Sequence, residues 1–249
     1  MKLVPLDVSR KIAETDTRMN IQLRSGIKMQ SQFHLSGGGQ YFKDDFIRVL
    51  KKHGKSEYDR GFEWCCGFGI IGYEILGLKI AKHMAFSDYY DNAIYDIRDT
   101  AKNNNIENKV SSYITAAITN IPKDEVWDLV VGNPPHAFTD IETSRKSLKP
   151  STRVNDTLRT LVDDGMEIHK EFFTNIKKHL TADADVIIYE PEFWFYENTF
   201  KELADSGGLY IHDTYPLING LESLAELNLD SIHKNGRIVH FKVKKENHE

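Results

Sequence analysis

The chain has 249 residues, enough to bury a core without disulfides or a structural metal. Its 40% hydrophobic and 28% charged content is that of an ordinary water-soluble fold, and no apolar run approaches the roughly 18 residues that cross a membrane. A net charge of −5 argues against a dedicated nucleic-acid binder, although residues 1–60 carry twelve Lys and Arg against seven Asp and Glu.

The amino terminus, Met1-Lys2-Leu3-Val4-Pro5, lacks the apolar core of a signal peptide, so a cytoplasmic location is expected. Ile12 to Leu23 suggests a short helix, and Ser36-Gly37-Gly38-Gly39-Gln40 a flexible link. Tyr41 to His53 has Phe42, Phe46, Val49 and Leu50 at helical spacing, and Gly54 stops it. Residues 1–60 thus form an N-terminal helical segment or lid, and residues 61–249 the main domain. The adjacent pair Cys65 and Cys66 are the only cysteines. Neighbouring cysteines make a strained disulfide, so no disulfide framework and no metal site is expected.

From Gly61 onward strands and helices alternate. Strands are expected at Phe62–Cys65, Met84–Ser87, Val110–Thr115, Trp127–Val131 and Val186–Tyr189. Helices are expected at Ile70–Leu76, Asn92–Asn103, Gly165–Leu180 and Phe193–Leu203. Leu209–Tyr215 and Arg237–Val243 read as a terminal hairpin pair. The pattern predicts an α/β fold: a Rossmann-like, doubly wound, mostly parallel seven-stranded sheet with a terminal antiparallel hairpin and a small N-terminal extension. Ligands on such sheets sit beyond the carboxyl ends of the strands, at the point where strand order reverses.

Three stretches carry chemistry. Glu63-Trp64-Cys65-Cys66-Gly67-Phe68-Gly69-Ile70-Ile71-Gly72 places an acid at a strand end, then glycines spaced G-x-G-x-x-G at a helix start. That spacing alone also fits a dinucleotide. A carboxylate four residues before the first glycine repels a pyrophosphate and suits a cationic cofactor instead. Ser87-Asp88-Tyr89 ends the second strand, where an acid accepts hydrogen bonds from ribose hydroxyls or else caps the next helix. Asn133-Pro134-Pro135-His136 fixes the main chain and removes two N–H donors. The Asn133 side-chain oxygen and a nearby carbonyl are left to accept from an amino or amide nitrogen, aiming its lone pair at an electrophile. Phe193-Trp194-Phe195-Tyr196 is an aromatic run that either lines a substrate pocket or packs against the N-terminal segment.

On these residues the chain resembles class I S-adenosylmethionine-dependent methyltransferases over roughly residues 33–195. More narrowly it resembles the group with an Asn-Pro-Pro-aromatic motif that methylates exocyclic or amide nitrogens of protein glutamine, rRNA guanine or adenine. The matching stretches are Glu63–Gly69, Ser87–Tyr89 and Val130–Pro135, with Asp164-Gly165-Met166 and Ile187-Ile188-Tyr189-Glu190 in fitting positions. The resemblance implies S-adenosylmethionine as cofactor. It implies that Glu63, Cys65, Gly67, Phe68 and Gly69 hold the methionine part, that Asp88 binds the ribose and that Tyr89 flanks the adenine. Tyr41 and Phe42, with Gly38 and Gln40, fall where relatives cover the cofactor. Asn133, shared with the cofactor site, Pro134, Pro135 and His136 are the implied catalytic residues.

Two departures matter. Thr115-Ala116-Ala117-Ile118 lacks the acid that relatives place near the adenine amine. His136 stands where relatives have a stacking aromatic; it stacks, takes a proton or merely lines the pocket. The function expected is N-methylation of an amine or amide of a small molecule, amino acid or peptide. A protein glutamine or rRNA base is the alternative substrate, and a non-catalytic cofactor-binding module the further alternative. Nucleic acid is the less favoured partner, and no membrane partner is expected.

Overall fold

The computed structural model describes residues 18–32, 39–115, 117–136, 162–191, 193–219 and 236–245. Two strands come first, β1 (Arg18–Gln22) and β2 (Lys28–Gln32), paired antiparallel. The helix expected over Ile12–Leu23 is therefore corrected: its residues 18–22 are a strand, and residues 12–17 lie outside the described residues. The physical reason is a period of two. Leu23, Ile27, Met29 and Ser31 are all buried while Gln22, Arg24, Lys28 and Gln30 are not. Gly26, at φ +90°, makes the turn, and its N–H donates to the Leu23 carbonyl at 2.9 Å.

Helix α1 (Gly39–His53) follows, and the Gly54 N–H closes it on the Leu50 carbonyl at 2.9 Å. Gly39 and Gln40, expected in a link, are its first residues; 36–38 lie outside the described residues. Next come β3 (Tyr58–Trp64), α2 (Ile70–Gly77), β4 (Ala81–Asp88), α3 (Asp91–Asn103), β5 (Val110–Ile114) and β6 (Trp127–Gly132). The second half holds α4 (Glu167–Asn175), β7 (Leu180–Glu190), α5 (Phe193–Ser206), β8 (Leu209–Pro216) and β9 (Arg237–Val243).

The long helix expected over Gly165–Leu180 is also corrected. Gly165 and Met166 are left-handed, at φ 61° and 60°, so the α-helix starts only at Glu167. It tightens to a 3-10 turn at Ile176–His179, and Leu180 already pairs with Trp127 as β7. Helix periodicity persisted through this break because Phe172, Phe173 and Ile176 all enter one core. β7 is eleven residues long because its polar start, Leu180–Asp183, extends the ladder beyond the apolar stretch Val186–Tyr189.

The main sheet has seven strands in the order β5-β4-β3-β6-β7-β9-β8. Pairs β5–β4, β4–β3, β3–β6 and β6–β7 are parallel; β7–β9 and β9–β8 are antiparallel. The expected doubly wound architecture is thus present. Alternate strand residues feed two cores. Leu129, Val131, Ile187 and Tyr189 pack with α1–α3 residues such as Phe46, Ile71 and Ile94. Val130, Val186 and Ile188 pack with Phe172 of α4 and Phe200 and Ala204 of α5. A strand buried on both faces needs continuous apolar sequence, which is why Leu129-Val130-Val131 and Val186-Ile187-Ile188 lie at the centre.

Strand order reverses at β3, whose neighbours are β4 on one side and β6 on the other. Its last residue, Trp64, pairs with both Ser87 of β4 and Gly132 of β6. The loops carrying all three chemical stretches therefore leave the sheet side by side. The β1–β2 hairpin is tied to α2 and α3: Ser25 Oγ donates to Glu74 at 3.1 Å, and Ser31 Oγ to Asp96 at 2.7 Å.

Candidate active site at the strand ends

The turn after β3 is built on left-handed residues, Cys65 (φ 51°), Gly67 (φ 51°) and Gly69 (φ 78°). Cys65 bears a Cβ in that region, at a cost of about 1–2 kcal/mol that the surrounding contacts must offset. The Cys66 N–H donates to the Ser87 carbonyl at 3.0 Å, which ties the turn to the end of β4. Asp88 completes the tie. One carboxylate oxygen accepts the Gly67 N–H at 2.8 Å and the other the Tyr90 N–H at 3.0 Å. Burial raises the Asp88 carboxyl against the lowering effect of those amides. Asp88 thus has a structural duty, holding the glycine turn, in addition to the role expected for it.

Glu63 is 2% exposed, and its carboxyl accepts the Gly72 N–H of α2 at 2.7 Å. Burial pushes its pKa up to about 8 despite the amides of Gly72 and Ile71. A Cβ on Gly72 would lie 2.6 Å from Phe86 and 2.7 Å from Glu63 Oε2. The third glycine is required by this close approach of carboxyl, helix and strand.

Phe68 and Cys66 turn inward and are 1% and 6% exposed. Burial pushes both the Cys65 and Cys66 thiols up. Tyr89 is 56% exposed at the rim beside Asp88. Tyr41 is half-buried, whereas Phe42 is buried and stacks on Tyr189 of β7 with ring centroids 4.1 Å apart. Thr115, where relatives carry an acid, accepts the Ala117 N–H at 3.0 Å on its Oγ1. The amides of Ile118 and Thr119 donate instead to Glu171 of α4, at 2.9 and 3.2 Å.

Pro134 and Pro135 are buried, and Asn133 and His136 half-buried beside them. His136 Nε2 and Asn133 Oδ1 lie 3.0 Å apart. His136 Nδ1 is 3.4 Å from Glu190 Oε2, too far for a formed hydrogen bond. The His136 ring meets Tyr189 edge to face at 5.1 Å.

Behind His136 is a set of residues that sequence reasoning missed. Glu190 Oε1 is 2.9 Å from His169 Nε2, and His169 Nδ1 is 2.6 Å from Asp163 Oδ2. Asp163 and His169 are 0% exposed and Glu190 1%. Burial disfavours the His169 imidazolium, but Glu190 and Asp163 overcome it and raise the pKa to about 9. Burial likewise pushes Glu190 up, and the facing imidazoles outweigh it, leaving the carboxyl below its ordinary value. Glu190 was visible at the end of a predicted strand. Nothing in sequence joins it to Asp163 or His169, which meet only when α4 packs under β7.

Of the aromatic run, Phe193 is buried and stacks on Phe200 at 5.9 Å. Tyr196 packs in the same core, and the side chains of Trp194 and Phe195 lie outside the described residues.

The set fits S-adenosylmethionine by its donor chemistry. Asp88, a carboxylate aligned by two amides, and Glu63, a buried carboxyl, flank a turn whose glycines carry no side chains. That molecule brings a methyl group on a sulfonium, already electrophilic.

A model of the methyltransferase small domain matches residues 45–165. No curated protein matches the sequence. Among solved structures, wild-type Trm5b from Pyrococcus abyssi aligns with a TM-score of 0.56 at 15% identity, over 93% of this chain and 57% of that one. Ribosomal protein L11 methylase from Lactobacillus delbrueckii subsp. bulgaricus aligns at 0.52 and 14%, over 83% and 79%. An O-methyltransferase of a Brevibacillus brevis trans-AT polyketide synthase multienzyme, in complex with S-adenosyl-L-homocysteine, aligns at 0.51 and 10%, over 81% and 72%. At such identities the structures attest the fold alone; with it, the match to a methyltransferase domain supports an S-adenosylmethionine-dependent methyltransferase.

Proposed function

We propose that the protein transfers a methyl group to an amine or amide nitrogen, with a small molecule, amino acid or peptide as substrate. One observation carries this reading: Trp64 and Gly132 are paired, so the glycine turn and Asn133-Pro134-Pro135-His136 leave neighbouring strands side by side. Asp88 binds the ribose and Tyr89 flanks the adenine. Glu63, Cys65, Gly67, Phe68 and Gly69 shape the methionine pocket, Phe68 and Gly69 from behind the turn. Tyr41 covers the site, while Phe42 supports it through Tyr189.

Asn133 Oδ1 and the Pro134 carbonyl would accept hydrogen bonds from the target nitrogen and so orient its lone pair; S-adenosylmethionine would supply the electrophilic methyl group. The gain is alignment, which converts a bimolecular encounter into a directed one. The two prolines keep those acceptors in place without competing N–H groups.

A second reading is a protein glutamine or an rRNA base; the likeness to a ribosomal protein L11 methylase favours the protein. The experiment that chooses offers methyl-labelled S-adenosylmethionine to lysate fractions treated with RNase, protease or size filtration. Label confined to the small-molecule fraction supports the proposal. Label lost with RNase or protease treatment refutes the small-substrate reading in favour of the corresponding macromolecule.

A further inference from the structure

The turn that follows β5 has no ligand contact in the reading given so far, yet its position in the sheet gives it one. The methionine pocket lies at the turn after β3, and the ribose place at Asp88, at the end of β4. In S-adenosylmethionine the base and the methionine leave opposite ends of the ribose. With the methionine over β3 and the ribose over β4, the base extends over the next strand in the sheet, which is β5. Ile114, the last residue of β5, pairs with Asp88, and the Thr115 N–H donates to the Asp88 carbonyl at 2.9 Å. The chain just beyond Thr115 is the next surface that the base meets.

Adenine carries an exocyclic amine there, and an amine needs an acceptor. The carboxylate closest along this turn is already occupied. Glu171 of α4 takes the amides of Ile118 and Thr119, and also Thr119 Oγ1 at 3.2 Å and Asn175 Nδ2 at 3.3 Å. Four donors match the acceptor sites of a carboxylate. Thr115 Oγ1 is occupied as well: it donates to the Ala117 carbonyl at 2.9 Å and accepts the Ala117 N–H at 3.0 Å.

Asn120 is placed differently. It ends the 3-10 turn Ile118–Asn120, whose Ile118 is 1% exposed and anchors the turn in the core. The Asn120 N–H closes that turn on the Ala117 carbonyl at 3.2 Å. Its side-chain NH2 donates to Thr115 Oγ1 at 3.3 Å. That bond decides which way the amide faces. The single hydroxyl proton of Thr115 goes to Ala117, so Oγ1 meets Asn120 as an acceptor, and only NH2 satisfies an acceptor. The amide oxygen is thereby turned to the other side. Among the described residues, no donor reaches Asn120 Oδ1, and the side chain is exposed.

We propose that Asn120 Oδ1 accepts the exocyclic amine of adenine and makes the cofactor site selective for that base. The inference rests on Asp88 binding the ribose of S-adenosylmethionine. Thr115 is the positioning residue that sets the Asn120 amide, and Glu171 holds the turn beneath it. A neutral amide at an exposed rim accepts an amine without the desolvation cost of a carboxylate. Its hydrogen bond is worth roughly fivefold in affinity.

The test is equilibrium binding of S-adenosylhomocysteine and of its purine counterpart, in which hydrogen replaces the amine and the ring nitrogens are kept. Calorimetry measures both ligands against the full chain, Asn120→Ala and Asp88→Ala. The wild type is expected to bind the amine-bearing ligand about fivefold more tightly. Asn120→Ala is expected to lose that preference and bind the two ligands alike. A purely structural role for Asn120 would weaken both ligands together and leave the preference intact, and that result overturns the proposal, as does a wild type with no preference. Asp88→Ala separates the two claims. Binding unchanged in Asp88→Ala removes the ribose placement and the proposal with it. Binding weakened there, with the preference intact in Asn120→Ala, overturns the role of Asn120 alone.

Discussion

Replacing Glu63 by Gln probes the acid of the glycine turn. In the folded chain burial lifts this carboxyl from its ordinary 4.5 to about 8. The unfolded chain ionises it freely above 4.5. Its contribution to stability is therefore fully present below pH 4.5 and is lost as pH rises toward 8. At pH 7 the loss extends over about two and a half pH units, and at about 1.4 kcal/mol per unit amounts to about 3 kcal/mol. The glutamine side chain keeps an oxygen for the Gly72 N–H and carries no charge to ionise. The variant should match the wild type near pH 4.5 and exceed it by up to about 3 kcal/mol at pH 7. Urea unfolding followed by tryptophan fluorescence reads the difference at each pH. Taking the difference between the two proteins cancels every other titrating group, including His169. A stability difference that does not change with pH would refute the burial argument.

The same carboxyl links cofactor to protons. A sulfonium favours the anion, so S-adenosylmethionine should release protons on binding near pH 7; calorimetry in buffers of differing ionisation enthalpy that shows none would contradict a charge role for Glu63. Asp88→Ala removes both the ribose acceptor and the bond that holds Gly67, and should weaken cofactor binding on the order of thirtyfold or more, with an unchanged Kd ruling out the ribose role. Gly72→Ala forces a Cβ to 2.6 Å from Phe86 and should destabilise the fold by about 1–3 kcal/mol; denaturation midpoints equal to wild type would show that the turn has slack.

Much of the candidate site was legible because its signals are local. The acid-glycine stretch, Asp88 and the two prolines each mark a strand end, and strand-helix alternation alone predicts that such ends gather on one edge. What sequence reasoning missed is long-range or partly local but ambiguous. Arg18–Gln22 has too few residues to tell a period of two from a helical one, and only pairing with Lys28–Gln32 decides it. Gly165 and Met166 take left-handed conformations that Gly permits and Met does not advertise. Phe42 carries the spacing of a cofactor cover and of a core residue alike; its stacking on Tyr189 puts it in the core. Asp163, His169 and Glu190 are spread over 28 positions and become a set only in three dimensions. Glu190 at a strand end and a His on an otherwise apolar helix face are the traces they leave in sequence.

The central claim is that Asn133 directs a nitrogen toward the methyl group. The most direct measurement compares wild type and Asn133→Ala for transfer of label from S-adenosylmethionine to the acceptor fraction, with cofactor affinity measured in parallel. The account predicts a loss of transfer on the order of a hundredfold or more with nearly unchanged cofactor binding, since alignment and not affinity is removed. Undiminished transfer by the variant would contradict it.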